Sequence, residues 1–366
     1  MTVDVDRDVV VVGGGPVGLA CAIEARLRGL SVIVVESRAA VVDKACGEGL
    51  MPGALPLLAR LGVKPEGYEL HGVSYRQGAR TIEHLFRGGP GLGVRRTTLQ
   101  TVLRRRAAEL GVIFERATVV GLEQTAARAR IAISRGGGAE TVISASWVLG
   151  CDGLHSTVRR LAGLEKTHSP SRLGRGDQGR GARDDRRYGL RRHYAVAPWS
   201  HLIEVYWEDG NEVYVTPVSA SMVGVALLGS RGVDFDGAVG HIPELADRLA
   251  GADHLTGLRG AGPFRQSSSA RTAGRVLLVG DASGYIDAIT GEGLRVGFAQ
   301  ARAAVDCIAC GVPASYEARW LRETRDFRVL TGVLVRAAQS PLRSAIVPTA
   351  VALPRIFGAV VERLAR

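Results

Sequence analysis

Lysine is scarce in this 366-residue sequence. Arginine therefore supplies nearly all of the 47 basic residues, which outnumber 36 acidic ones and give a formal charge of +11. Much of the excess lies between Arg172 and Arg192, where eight arginines face three aspartates. This stretch is rich in glycine and has no aromatic residue before Tyr188. It predicts a flexible basic loop over 165–186 rather than a nucleic-acid-binding surface.

Cysteines and long apolar runs are also sparse. The five scattered cysteines form no disulfide framework, which favours a reducing cytoplasm. No run of about 18 apolar residues predicts a membrane-spanning helix, and the acidic start, with Asp4, Asp6 and Asp8, is not typical of a signal peptide. Cys307 and Cys310 lie too far from any histidine for zinc, so no metal site is predicted.

The stretch that organises the chain begins with an unbroken run of valines, 9–12, which predicts a strand buried on both faces of a parallel sheet. Gly13, Gly15 and Gly18 follow with the spacing that suits a tight turn, a close approach to a pyrophosphate and close helix packing. After a predicted helix, a second apolar strand ends in Glu36. An acid that binds an adenosine ribose is expected about 20 residues after the last glycine of the motif, and Glu36 lies close to that position. The pattern predicts a dinucleotide site, for FAD or NAD(P).

Two later strands also end in an aspartate. An apolar strand precedes Asp152, and another precedes Gly280 and Asp281. A Thr-Gly-Glu-Gly sequence, 290–293, then stands at the start of a predicted long helix. A carboxylate at a strand end and free helix amides suit a polyol chain and an electron-rich ring. Taken alone, the stretch around Asp152 favours a capped turn between strand and helix.

Residues 188–229 alternate as antiparallel strands do, and the few aromatic residues are concentrated there. Tyr194, Tyr206, Tyr214 and Pro217 are candidates for the wall of a substrate pocket, with ordinary strand packing as the alternative. The segment 313–366 is predicted to be helical, with breaks at its prolines 341, 348 and 354. Its apolar segments carry scattered arginines, so it is predicted to pack over the core or to contact a membrane surface.

In this order and spacing, the three motif stretches resemble the para-hydroxybenzoate-hydroxylase-like flavoproteins, which include aromatic hydroxylases, halogenases and geranylgeranyl reductases. The resemblance implies an α/β fold of the composite α+β kind. A Rossmann-like, GR2-type FAD-binding domain with a parallel sheet would comprise 1–70, 91–164 and 270–312. An antiparallel-sheet substrate domain would comprise 71–90 and 187–269, and 313–366 would form a helical C-terminal region.

The motifs and the resemblance together give a set of expected FAD contacts. Within it, Asp281 is expected at the ribityl chain, Arg96 along the cofactor, Val119 at the adenine, and Asp152 at FAD and the nicotinamide donor. The full set is Gly13, Gly15, Pro16, Val17, Gly18, Glu36, Ser37, Arg38, Gly47, Arg96, Val119, Asp152, Gly280, Asp281, Gly291, Gly293 and Leu294.

The function that the resemblance implies is an NAD(P)H-dependent monooxygenase of secondary metabolism. It would hydroxylate an aromatic or polyketide-like molecule with O₂ through a C4a-hydroperoxyflavin. A reductase of prenyl double bonds is an alternative that the Cys46-Gly-Glu-Gly loop favours, and a non-catalytic flavin-binding module is another. No catalytic residue is assigned. Cys46 and His193 are candidates, against a buried thiol and a structural histidine.

Overall fold

A computed structural model of the protein describes residues 5–38, 41, 43–136, 140–166 and 186–366. The predicted basic loop, 165–186, lies outside the described residues except at its two ends.

The strands alternate with helices in the first half and dominate the middle of the chain. In chain order they are β1 (Val5–Val12), β2 (Val32–Glu36), β3 (Gly49–Leu50), β4 (Tyr68–Leu70), β5 (Gly72–Gln77), β6 (Arg80–Leu85), β7 (Gly91–Gly93), β8 (Ile113–Arg116), β9 (Thr118–Gln124), β10 (Ala129–Ser134), β11 (Thr141–Gly150), β12 (Tyr188–Tyr194), β13 (Leu202–Glu208), β14 (Asn211–Ser219), β15 (Met222–Gly229), β16 (Arg259–Ala261), β17 (Gln266–Ser267), β18 (Thr272–Ala273), β19 (Val276–Leu278) and β20 (Gly284–Tyr285).

The helices are concentrated near the start and at the end of the chain. They are α1 (Pro16–Leu27), α2 (Leu55–Arg60), α3 (Arg96–Glu109), α4 (Thr157–Leu161), α5 (Phe235–Gly240), α6 (Pro243–Leu249), α7 (Gly293–Ala309), α8 (Tyr316–Ala338), α9 (Ile346–Ala352) and α10 (Pro354–Ala365). Short 3₁₀ turns cover Pro52–Ala54, Gly280–Ser283, Pro313–Ser315 and Pro341–Ala345.

The first large sheet has the order β18-β19-β11-β1-β2-β8, in which β19, β11, β1, β2 and β8 are parallel. Val9 and Val11 of β1 pack into a core with α1, α3 and α7, whereas Val10 and Val12 pack into a second core on the other face. Burial on both faces explains why the valine run contains no polar residue. All carboxyl ends of these parallel strands meet at one edge, where ligands bind in open α/β sheets.

The second sheet has the order β16-β12-β15-β14-β13-β5-β6 and is antiparallel except for the β13–β5 pair. One face packs against α5 and α6, and the other faces β4, the turn before α7 and the C-terminal helices. The predicted α/β fold of composite α+β kind, with a parallel sheet, an antiparallel sheet and a helical C-terminus, is confirmed.

Two of the three prolines predicted to break the C-terminal helices do so. Pro341 and Pro354 start new helical segments as predicted, but Pro348 lies inside α9. A proline is tolerated there because the N–H groups of the first helical turn have no partner within the helix. In the described part of the chain, no single helix has the length and hydropathy to cross a membrane, while Pro341–Ala352 and Pro354–Ala365, bent by 103°, meet that criterion as a pair.

The turn after β1 depends on two glycines. Gly13 has φ +105°, and a Cβ there would lie 2.5 Å from the carbonyl oxygen of Cys151 at the end of β11. A Cβ on Gly18 in α1 would overlap the carbonyl oxygen of Gly13. Helix α1 can therefore approach the strand ends only because both positions lack a side chain.

Gly18→Ala is expected to lower the free energy of unfolding by about 1–3 kcal/mol, because the added methyl group overlaps backbone that cannot move alone. Urea unfolding followed by tryptophan fluorescence measures the change. Gly332→Ala in α8 is the matched control, since no atom lies within 4 Å of a Cβ there and the helix gains in propensity. Equal effects of the two substitutions would contradict the assignment.

Candidate functional site

A cavity of about 370 Å³ lies where the parallel sheet, the antiparallel sheet and α10 meet. All the expected FAD contacts except Gly18 line it. Gly18 lies behind the others, where it supports the turn at Gly13. The structure therefore brings together residues from the N-terminal motif, the Asp152 region and the Gly280 region, which lie far apart in the sequence.

The N-terminus of α1 opens into this cavity. Gly15 is the residue that precedes the helix, Pro16 is its first residue, and no side chain within the described ranges caps its N–H groups. Gly15, Pro16 and Val17 all line the cavity. Free N–H groups and the positive end of a helix dipole favour an anion, such as a diphosphate, at this position.

Glu36 ends β2 beside that turn. Its Oε2 accepts a hydrogen bond of 2.8 Å from the Gly14 N–H, and its Oε1 accepts one of 3.0 Å from the Arg38 N–H. These bonds fix the carboxylate at the cavity wall, which Ser37, Arg38 and Val119 also line. A carboxylate in this position suits the hydroxyl groups of a ribose.

The middle of the cavity concentrates charge. Burial raises the pKa of Asp281, and the nearby Lys44 and Arg96 act in the opposite direction. Burial also lowers the pKa of Lys44, which Asp281 opposes. Among the described residues, the buried Nε of Arg96 has no hydrogen-bond partner. Two cations and a carboxylate therefore face a space that an anionic, hydroxyl-rich molecule would complement.

Asp152 is held by the helix that follows it. Its Oδ1 accepts a hydrogen bond of 2.5 Å from Ser156 Oγ, and its Oδ2 accepts one of 3.0 Å from the Val158 N–H. Ser156 in turn caps α4 by accepting from the Arg159 N–H. Burial raises the pKa of Asp152, while these hydrogen bonds lower it. Asp152 thus both lines the cavity and ends a capped turn, so the two interpretations from the sequence are compatible.

The start of α7 forms another wall. Gly291, Gly293 and Leu294 line the cavity, and no side chain caps this helix. The intervening Glu292 is buried and forms an ion pair with Arg295. Burial raises the pKa of Glu292 from its ordinary value of 4.5 to about 7, although Arg295 opposes the shift.

Glu48 connects the loop after β2 to the antiparallel sheet. Its Oε2 lies 2.5 Å from His193 Nε2, and its Oε1 accepts a hydrogen bond of 2.8 Å from the Arg96 N–H at the start of α3. Arg191 Nη1 lies 2.9 Å from His193 Nδ1. Since a guanidinium only donates, Nδ1 accepts, and Nε2–H donates to Glu48. Asp43 completes the chain by accepting from Arg191.

The two candidate catalytic residues have different settings. Cys46 lines the cavity, next to Gly47 and Glu48. His193 is fully buried, does not line the cavity, and has partners on both ring nitrogens. The geometry therefore gives His193 no free nitrogen with which to take a proton from a ligand in the cavity.

The four residues predicted to line a substrate pocket do not lie together in the structure. Tyr214 lines the cavity, and its hydroxyl donates a hydrogen bond of 3.0 Å to the Ile289 carbonyl oxygen. Tyr194 and Tyr206 pack in the core with α5 and α6 on the other face of the sheet. Pro217 does not line the cavity either. A substrate wall at this cavity can therefore include Tyr214 but not the other three.

Several residues of the site were not predicted. Lys44 and Glu48 stand in an irregular loop, where no periodicity shows which side chains face a ligand. Phe264, Val361 and Leu364 line the apolar end of the cavity, far along the chain from the motifs. The loop sequence around Cys46 was the one signal available for the first two, because charged residues amid glycines favour a ligand-binding loop.

Residues 6–177 match the FAD binding domain family. Over this segment the chain is similar to known FAD-binding domains. The match supports FAD, rather than NAD(P), as the ligand of the site predicted from the glycine turn. The discontinuous boundaries proposed from the sequence stay a prediction.

Two relatives match this FAD-binding domain and most of the rest of the chain. A rifampicin monooxygenase of Rhodococcus hoagii is 26% identical over 332 residues, which are 79% of this chain and 61% of that protein. The chain therefore spans less than two thirds of that enzyme. A menaquinone reductase of Mycolicibacterium smegmatis is 27% identical over 335 residues, 86% of this chain and 79% of that protein.

Among solved structures, a flavoprotein/dehydrogenase from Cytophaga hutchinsonii superposes with a TM-score of 0.83 at 18% identity. The match covers 98% of this chain and 92% of that chain. At this identity the likeness shows a shared fold, which extends beyond the FAD-binding domain into the antiparallel sheet and the C-terminal helices.

The residues of the cavity fit FAD. The unpartnered Nε of Arg96, the uncapped N-terminus of α1 and the fixed carboxylate of Glu36 are the groups that a dinucleotide would satisfy. Gly13 and Gly15 of the turn line the cavity, so their backbone borders the space that a diphosphate would occupy.

Because the pKa of Glu292 is raised on folding, the stability that the protonated carboxyl contributes is full below about pH 4.5 and is lost as the pH rises through about 7. Relative to Glu292→Gln, the wild type should lose up to about 3 kcal/mol of unfolding free energy between pH 5 and pH 8. Urea unfolding at the two pH values checks this. Glu66→Gln, at an exposed position, should follow the wild type; parallel pH profiles for wild type and Glu292→Gln would refute the assignment.

Proposed function

We propose that this protein is a cytoplasmic FAD-dependent monooxygenase that uses NAD(P)H and O₂ to hydroxylate a neutral aromatic or polyketide-like molecule. One observation carries the proposal: the polar, FAD-type site and an apolar chamber are parts of one cavity. The likeness to a rifampicin monooxygenase over 79% of the chain supports the reaction type.

The chamber has a distinctive chemical character. The strands of the antiparallel sheet contribute apolar or uncharged side chains to it, and none of these is Asp, Glu, Lys, Arg or His. Burying a charged substrate here would leave its charge unpaired, so a neutral, flat molecule is favoured. The lining residues from this sheet are Val73, Tyr75, Gly189, Leu190, Ile203, Val205, Tyr214, Thr216, Ala226, Leu228 and Ala261.

When bound, FAD supplies electron transfer from NAD(P)H and the activation of O₂. Glu36 would hold the ribose, the start of α1 the diphosphate and Asp281 the ribityl chain. The start of α7, at Gly293, lines the cavity and would supply a positive potential to the ring system of a bound flavin. The apolar chamber keeps water from the reacting atoms.

The described residues that line the chamber offer no strong base. The Tyr214 hydroxyl is already bonded to Ile289, and burial raises its pKa well above the ordinary value. In this proposal His193 is a positioning residue, because it holds Glu48 and hence the loop that carries Lys44 and Cys46. A substrate whose ring is already electron-rich, such as a phenol, suits such a chamber best.

A reductase of prenyl double bonds is the second candidate. The likeness to a menaquinone reductase over 79% of that protein's length favours it, as does the position of Cys46 and Gly47 at the cavity. The two candidates differ in one requirement, since only the monooxygenase consumes O₂.

Purified protein should show a flavin absorbance spectrum and oxidise NADPH faster when a phenolic or polyketide-like compound is present. O₂ should disappear at the same rate, and the product should be heavier by one oxygen atom. Anaerobic gain of two hydrogens by a polyprenyl compound would instead establish the reductase. Bound flavin without turnover on either compound class would overturn both in favour of a binding module.

Val361→Trp should fill the chamber and raise the KM for the stimulating compound at least tenfold, because the side chain of Val361 lines the cavity. Flavin content should stay unchanged, since the polar end is untouched. Val360→Trp is the matched control: Val360 precedes it in the same helix and is exposed to solvent. Steady-state NADPH oxidation measures both variants, and an unchanged KM in Val361→Trp would place the substrate elsewhere.

A further inference from the structure

The corner between α9 and α10 exposes an unusual run of apolar residues. All six residues of 351–356 are exposed, and only Arg355 among them is charged. Val351, Leu353 and Ile356 have exposed fractions of 41%, 47% and 59%. Single exposed apolar residues are common on protein surfaces, but a contiguous run at a projecting corner marks an interaction site.

Helix α10 is apolar on two sides. Val361 and Leu364 face inward and line the cavity, whereas Ile356 and Val360 are exposed to solvent. The packing of α10 onto β6 and α8 explains the apolar residues on its inner side but not those on its outer side. A helix that is apolar on both sides is normally covered on both, so the outer side calls for a partner.

The charge around the corner indicates what kind of partner this is. The segment 316–366 carries nine arginines against four acidic residues. Arg343 forms an ion pair with the buried Glu212, so the other eight arginines contribute the excess positive charge. On α8, Arg322, Arg325, Val329, Val333 and Arg336 are exposed and recur at helical spacing, so cationic and apolar side chains share one stripe. Arginines flanking exposed aliphatic side chains are typical of a surface that rests on anionic lipids.

We propose that the 351–356 corner inserts into the interface of an anionic lipid bilayer, with the exposed arginines of α8 and Arg355 on the lipid headgroups. Because α10 then separates the bilayer from the cavity, it follows, if the proposed function holds, that the substrate is a lipid-soluble molecule that reaches the chamber past this helix. The occupant of the surface is the bilayer itself.

Co-sedimentation of the full chain, with its flavin, tests this. The probes are phosphatidylcholine vesicles with and without phosphatidylglycerol. The wild type should sediment with the anionic vesicles and be partly released by salt, since screening weakens the contribution of the arginines. Leu353→Glu/Ile356→Glu should bind at least tenfold more weakly, because two apolar side chains leave the lipid and two negative charges are added.

The matched control is Leu255→Glu/Leu258→Glu. These leucines are 45% and 40% exposed, beside β12 and β16 at the opposite edge of the antiparallel sheet from β6. The control should bind anionic vesicles as the wild type does. Wild-type protein that stays in solution, or equal weakening by both double variants, would overturn the proposal. So would light scattering that shows a dimer in the wild type and a monomer in the corner variant, because a second copy would then cover the corner.

Vesicle binding is measured without turnover, so its outcome is separate from that of the activity assay. Binding without NADPH oxidation would leave the docking surface standing and remove the monooxygenase. Oxidation of soluble phenols without vesicle binding would support the monooxygenase and remove the docking surface.

Discussion

The contact between Glu48 and His193 joins the two halves of the molecule at the cavity. Glu48 belongs to the loop that follows the parallel sheet, His193 belongs to β12 of the antiparallel sheet, and both side chains are buried. Glu48 has a φ of +58°, a conformation that costs on the order of 1 kcal/mol or more and persists only where the surroundings enforce it. The bonds to His193 and to the Arg96 N–H are those surroundings. They hold the Glu48 side chain between the start of α3 and strand β12.

Because this contact holds the two sheets together, the cavity has a charged side and an apolar side. Glu36, Arg38, Lys44, Arg96, Asp152 and Asp281 lie on the side of the parallel sheet, and Glu48 lies between the two sheets. In the described part of the chain, the antiparallel sheet contributes no charged side chain to the lining. Charges held in a poorly hydrated space act strongly on one another and on a ligand. An extended ligand with an anionic end and a flat, less polar end therefore fits the cavity in one direction only. A second, neutral molecule would share the apolar end.

The sequence predicted those parts of the site that depend on neighbours along the chain. The buried valines, the Gly13 turn and the carboxylate at Glu36 form one local unit, whose geometry follows from its own residues. The tyrosines were harder, because the face that each one presents depends on strand register, and a shift of one residue exchanges the two faces. Tyr214 faces the cavity, while Tyr206, on the neighbouring strand, faces α5 and α6.

The sequence did not predict site residues whose partners lie far away along the chain. Asp281 acts on the charge of Lys44, and His193 holds Glu48, in each case from a segment far away in the sequence. No pattern within either loop shows that pairing. For the same reason, the sequence could not show that the C-terminal region forms a wall of the cavity, since α10 reaches it by packing on β6 and α8.

That wall is fixed by a buried cluster of four charges. Glu212 of β14 accepts hydrogen bonds of 2.6 Å from both Arg187 and Arg343, and Arg187 also donates one of 2.9 Å to Asp287 in the turn before α7. Two positive and two negative groups balance within the cluster. Removing one would leave a buried charge unpaired, at a cost of about 3–5 kcal/mol. Because Arg343 precedes α9, the cluster ties the C-terminal helices to the same strand and turn that enclose the cavity. The C-terminal region is thus an integral part of the site, and its outward apolar corner is held in a fixed position relative to the cavity behind it.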